Sequence, residues 1–195
     1  MIALLFEVLP KPGREDRYLE MAAALRPEVE KSGGLAFIDR FRSQTRPGWI
    51  LSHQLWCDEE CLARWRAHPA HRAAQLAGRT QHFADYRIRI ADVIGETVAG
   101  DVVGTIQQQL SGKPISTARR LLGIVASRTE PFAASGAETF MSLYREGEFL
   151  AVAEAATAQA GEALIRRAMA APHVTAARLC RVVRDYGMSD RAEAP

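Results

Sequence analysis

Long apolar runs are missing from this chain of 195 residues. None approaches the roughly 18 consecutive apolar residues of a membrane span, so no membrane partner is expected. Charge of one sign is missing too: 25 Lys and Arg stand against 23 Asp and Glu, a formal net charge of +2. The arginines are interleaved with acids, whereas a phosphate-tracking surface needs a concentrated basic stripe, so no nucleic-acid partner is expected. Cysteine is scarce, with 3 residues at positions 57, 61 and 180. Cys57 and Cys61 have no second pair at finger spacing, which leaves no expected metal site and predicts reduced thiols in a cytoplasmic protein. No glycine-rich phosphate loop follows a strand, which argues against a dinucleotide cofactor. Serine-nucleophile motifs are absent as well. The stretch MIALLFEVLP lacks a basic segment and meets Glu7 early, so it is expected to be a strand and not a secretory signal. What is present, 48% hydrophobic and 25% charged residues, is the composition of an ordinary globular protein of one large or two small domains.

Periodicity gives the order of elements. Met1 to Val8 is a short apolar strand stopped by PKPG. From Arg14, the spacing of Tyr18, Leu19, Ala22, Ala23 and Leu25 predicts a helix, which SGG ends at Gly34. LAFIDRFRS and WILSHQLW are strands separated by QTRPG. Asp58 is the predicted N-cap of a helix through Trp65. Pro69 interrupts it and can open a second helix. DYRIRIADVI alternates as a further strand. Strand, helix, strand, strand, helix, strand is the ferredoxin-like arrangement. The second half repeats part of this order: RLLGIVASR echoes the first strand, GEALIRRAMAAP echoes EECLARWRAHP, and ARLCRVVRDYG echoes YRIRIADVIGE. Its first helix is missing, since only TEPFAASGA stands in the place of residues 14–31. The expected division is therefore 1–96, a linker over 97–119, and a degenerate second unit over 120–195. Without its helix the second sheet needs a cover, for which residues 98–110 are the candidate.

The first half resembles the antibiotic biosynthesis monooxygenase domains. The likeness rests on IALLFEVLPKPGREDRYLEMAAALRPEVEKSGG, the strand ending in Trp56, DEECLARWRAHPAHRAAQ and FADYRIRIADV. It implies an α+β class, a ferredoxin-like dimeric α+β barrel, here as two tandem ferredoxin-like units with the second lacking its first helix. The pairing is then an intramolecular pseudo-dimer or a homodimer. A tail like VVRDYGMSDRAEAP follows directly after a strand like DYRIRIA in single-domain relatives, as if the second half had been inserted upstream of the family's ending. The resemblance implies oxidation of aromatic or polyketide-like small molecules with O2 and no cofactor. A non-catalytic binding or regulatory module of the same fold is the alternative, and haem binding or degradation comes last.

A cofactor-free oxygenase has to deprotonate its substrate, exclude water and stabilise the resulting anion. All 3 tryptophans and four of the 5 histidines lie in the first half, which places any pocket there. On the strand, Ser52, Gln54 and Trp56 share one face, opposite Trp49, Leu51, His53 and Leu55. The resemblance puts the pocket between sheet and helices on the Trp56 side, with Glu7 expected on the same face. His68 and His71 are the candidate proton acceptors, Trp56 and Trp65 the stacking walls, and Glu7, Ser52, Gln75 and Arg79 further substrate-binding candidates. The competing reading is core packing for Trp56 and Trp65, and solvent exposure for His68 and His71. Two departures from the family matter. Ser52 stands where quinone-forming members carry asparagine. Glu7 and Gln75 stand where haem-degrading members carry asparagine and the axial histidine, which ranks haem chemistry low.

Overall fold

The computed structural model describes residues 1–99 and 120–194. From residue 100 on, the expected linker and most of the expected sheet cover lie outside the described residues. The elements are β1 (Ile2–Pro10), α1 (Glu15–Lys31), β2 (Leu35–Ser43), β3 (Ile50–Trp56), α2 (Glu59–Ala67) and α3 (Pro69–Ala77). A π-helical turn (Gly78–His82) leads into β4 (Phe83–Val98). After these come β5 (Leu121–Arg128), β6 (Glu138–Ser142), β7 (Glu148–Ala155), α4 (Ala158–Met169) and β8 (Val174–Gly187).

Two compact units result. The first gathers Met1–Asp39, Gly48–Ile90 and Arg184–Pro195. The second gathers Arg40–Pro47 and Ala91–Val183. The C-terminal tail, counted with residues 120–195 in the sequence, thus groups with the first unit. Strand order is β2-β3-β1-β4 in the first unit and β6-β7-β5-β8 in the second, the ferredoxin-like order in both. As the repeat predicts, the second lacks a helix between its first two strands.

In the first unit, Asp58 leaves extended backbone and its carboxylate accepts from the Cys61 amide at 2.8 Å, which caps α2. Pro69 is the first residue of α3, where its missing N–H leaves no helical bond unmade. Cys57 and Cys61 are joined as a disulfide, where the sequence reading expected reduced thiols. The cap explains the encounter, because it turns the chain so that the last loop residue faces the first helical turn.

In the second unit the missing helix is replaced by an irregular segment. Phe132 is 4% exposed and packs with Leu121, Val125, Ala151, Ile165, Ala168 and Ala177. Ala134 and Ala137 pack beside it, and the Arg167 guanidinium lies 5.4 Å from the Phe132 ring centre. TEPFAASGA therefore supplies apolar cover to this sheet, while the candidate cover 98–110 lies, from residue 100 on, outside the described residues.

Candidate functional site

Pairing of β1 with β3 fixes which side chains share a face. Phe6 is opposite Ser52, Leu4 opposite Gln54 and Ile2 opposite Trp56, so all six lie on one face of the sheet. Glu7 is opposite Leu51 and lies on the other face, with His53. The expectation that Glu7 joins the Trp56 face is therefore corrected. Register was the missing information, since a shift of one residue reverses every side chain. Glu7 is buried and forms an ion pair with buried Arg89 of β4.

On the Phe6 face a cavity of about 110 Å³ opens within the first unit. The sheet contributes Phe6, Phe83, Tyr86, Ile88 and Tyr186, and the helical side contributes Arg66, Gln75 and Arg79. Arg191 of the C-terminal tail completes the wall. Phe6 holds the aromatic wall together: its ring centre is 5.8 Å from that of Phe83 and 6.1 Å from that of Tyr86. Tyr18 of α1 meets Phe83 edge-on at 5.6 Å. Alternation along β4 aims Tyr86 and Ile88 at the cavity and Arg87 and Arg89 away from it. Arg87 pairs in two-point fashion with Asp185 of β8, at 2.9 and 2.7 Å, and so aligns the strand that brings Tyr186 to the wall.

Of the candidates read from the sequence, Gln75 and Arg79 line the cavity. Ser52 and Trp56 lie on the same sheet face but on β3, beyond β1. They are buried in a polar run in which the Trp56 indole donates to Gln54 at 2.9 Å and the Gln54 amide donates to Ser52 at 3.3 Å. Trp65, His68 and His71 form a stack. The His71 ring is 4.5 Å from Trp65 at an interplanar angle of 12°, and the His68 ring is 5.3 Å away. His71 Nδ1 lies 3.0 Å from the Trp65 carbonyl oxygen, which selects the tautomer with the proton on Nδ1. Burial lowers the His71 pKa to about 4, outweighing the raising effect of that hydrogen bond, and His68 lowers it further. His71 is consequently neutral at pH 7. Gln75, which lines the cavity, approaches His71 with its Nε2 3.4 Å from Nδ1. That nitrogen already gives its proton to Trp65, so the two are neighbours and not a hydrogen-bonded pair. His68 Nε2 faces Glu28 of α1 at 3.9 Å.

Phe6, Arg66, Phe83, Tyr86, Ile88, Tyr186 and Arg191 escaped the sequence reading. The signal was present in part: RDYG of the tail echoes ADYR of the closing strand, and both tyrosines reach the wall. Burial raises the pKa of Tyr186, and the positive charges of Arg66, Arg184 and Arg191 oppose that shift. Among the described residues, Cys57, Asp58 and Cys61 are the one His, Cys, Asp or Glu group compact enough for a metal ion. Two of its three donors are already bonded to each other and the third caps α2.

The sequence model of a family described as antibiotic biosynthesis monooxygenase matches residues 1–77. A jasmonate monooxygenase of Pyricularia oryzae is 31% identical, over 100% of this chain and 97% of that protein. Among solved structures, one described as an antibiotic biosynthesis monooxygenase is 21% identical with a TM-score of 0.42, over 48% of this chain and 99% of that one. An anthrone oxidase-like protein is 11% identical with a TM-score of 0.41, over 100% and 96% of the two chains.

Proposed function

The chain belongs to the antibiotic biosynthesis monooxygenase family, and on that footing we propose that it oxidises a ring-bearing, aromatic or polyketide-like small molecule with O2, without a cofactor, in the cavity of the first unit. The observation that carries this reading is the cavity wall. Four aromatic residues, Phe6, Phe83, Tyr86 and Tyr186, surround a space edged by Gln75 and Arg79. Such a wall suits a flat, apolar ring, and the few polar groups orient its oxygen.

The chemistry needs little from the protein. A phenol or anthrone loses a proton, and its anion passes an electron to O2. The radicals combine as a peroxide, which loses water to give the ketone. One CH2 and one O2 become one C=O and one H2O, so no outside reductant is consumed. Arg79 and the Gln75 amide stabilise the substrate anion, and a neighbouring guanidinium lowers the substrate's pKa by favouring its charged form. His71 stacks on Trp65 behind Gln75 and limits the space into which that side chain can turn. His68 and His71 stand outside the cavity wall, and among the described residues no imidazole or carboxylate lines it, so neither takes the substrate's proton directly. The proton therefore leaves to water.

The same lack of a wall base favours a second reading, a binding module that retains its ligand without turning it over. Oxygen uptake separates the two. With anthrone, a hydroquinone or jasmonic acid, the purified chain should consume O2 above the uncatalysed rate, and Gln75→Leu or Arg79→Gln should slow it about 10-fold or more. Binding of these compounds with no O2 uptake would favour the second reading.

A further inference from the structure

The cavity carries more positive charge than an oxygenase of neutral rings requires. Arg66 of α2 and Arg191 of the tail both line it, together with Arg79, and no acidic side chain does. Neighbouring arginines are already neutralised: Arg87 by Asp185 and Arg184 by Glu59. Arg66 has no ion pair or hydrogen bond among the described residues. Arg191 donates from Nη1 to the Tyr86 hydroxyl, a neutral partner that leaves its charge uncompensated. Arg66, Arg191 and Tyr186 all line this one cavity, and both guanidinium groups act electrostatically on Tyr186.

We propose that Arg66 and Arg191, with the Tyr86 hydroxyl, form a clamp for the carboxylate of a small organic acid whose apolar ring lies against Phe6, Phe83 and Tyr186. Guanidinium groups match the two oxygens of a carboxylate and bind it through paired, charge-assisted hydrogen bonds. Arg191 is exposed and Arg66 partly buried, so both stay solvated at the mouth of an apolar wall and are open to an anionic ligand. The inference rests on the cavity being the substrate site, and it assigns the substrate class: ring-bearing monocarboxylic acids in place of neutral phenols. Carboxylate anchoring also separates two ends of the substrate, since Gln75 and Arg79 remain free for the reacting oxygen.

Two matched pairs of probes test it by calorimetry at pH 7: jasmonic acid with its methyl ester, and 1-naphthylacetic acid with its methyl ester. At least one acid should bind about 10-fold tighter than its ester, the worth of a hydrogen bond to a charged group. Arg66→Gln and Arg191→Gln should bring the acid down to the affinity of the ester. Continued binding of the ester then shows that these variants are folded. Arg72→Gln, an exposed change on α3 outside the cavity, should keep the preference. Equal affinity for acid and ester, an acid preference that survives both substitutions, or no binding of either acid at millimolar concentration would overturn the clamp. Oxygen uptake measured on the same samples keeps the two proposals apart. Acid-selective binding without O2 consumption removes the oxygenase and leaves the clamp, whereas turnover indifferent to the carboxylate does the reverse.

Discussion

Glu7 and Arg89 are 2% and 5% exposed at their side chains, so each is the other's compensation for a lost hydration shell. Removing one charge leaves its partner buried, which costs on the order of 3–5 kcal/mol. Glu7→Gln should therefore lower the urea midpoint of unfolding strongly, and the double change to Glu7→Leu with Arg89→Met should restore part of the loss. His71 gives a pH signature of its own. Its pKa is about 4 in the fold against 6.5 ordinarily, so the unfolded chain takes up the proton first as pH falls. The contribution of His71 to stability is full above about pH 6.5 and is lost progressively toward pH 4, with no further change below. His71→Phe should flatten that stretch of the stability–pH curve, and nuclear magnetic resonance should find the wild-type ring neutral at pH 5.5. At this scale Gln75 came from the resemblance, as the residue ten positions after Trp65, and Arg79 from the run that leads into β4; both line the cavity. Glu7 was misplaced because strand register is set by pairing and not by composition. Arg191 and Tyr186 were hidden because the tail lies far along the chain from the unit it packs with.

Helix ends were the most legible elements. Asp58 and Pro69 do in the structure what local chemistry requires of them, one as a side-chain cap and the other as a helix opener. Asp58→Ala should cost about 1 kcal/mol of stability by denaturant titration, the usual worth of such a cap. It should also disturb Arg66 and Trp65, which ride on the same helix. The loop before β2 is constrained differently. Gly34 has φ of +80°, and a Cβ there would collide with the sulfurs of both Cys57 and Cys61. Gly34→Ala thus combines left-handed backbone strain with a steric clash, and it should destabilise by more than about 1 kcal/mol. The Cys57–Cys61 link was not legible, because a spacing of four residues is compatible with reduced thiols until a cap and a close loop bring the sulfurs together. Cys180 behaves oppositely: complete burial pushes its thiol up to about 12. Alkylation of the reduced native protein should reach Cys57 and spare Cys180.

Across the whole chain, the ferredoxin-like order appears twice, and the sequence showed both copies through repeated strand and helix patterns. It could not show what replaces the absent helix, since TEPFAASGA has no periodicity to read. Phe132 answers that question for the second unit, and Phe132→Ala should cost on the order of 3–5 kcal/mol, as deletion of a buried aromatic ring does. The proposed site follows the same division. The tryptophans, most of the histidines and the described cavity belong to the first unit, whereas the second keeps the fold with alanine and arginine at the corresponding places. The central claim is that this cavity oxidises a ring-bearing substrate with O2 and no cofactor. An oxygen electrode on chelator-treated, haem-free protein with anthrone, a hydroquinone and jasmonic acid tests it most directly. We expect catalysed uptake with at least one of them, one O2 per molecule oxidised, and loss of that uptake in Gln75→Leu. Uptake no faster than in protein-free buffer with all three, or full activity in Gln75→Leu, would contradict it.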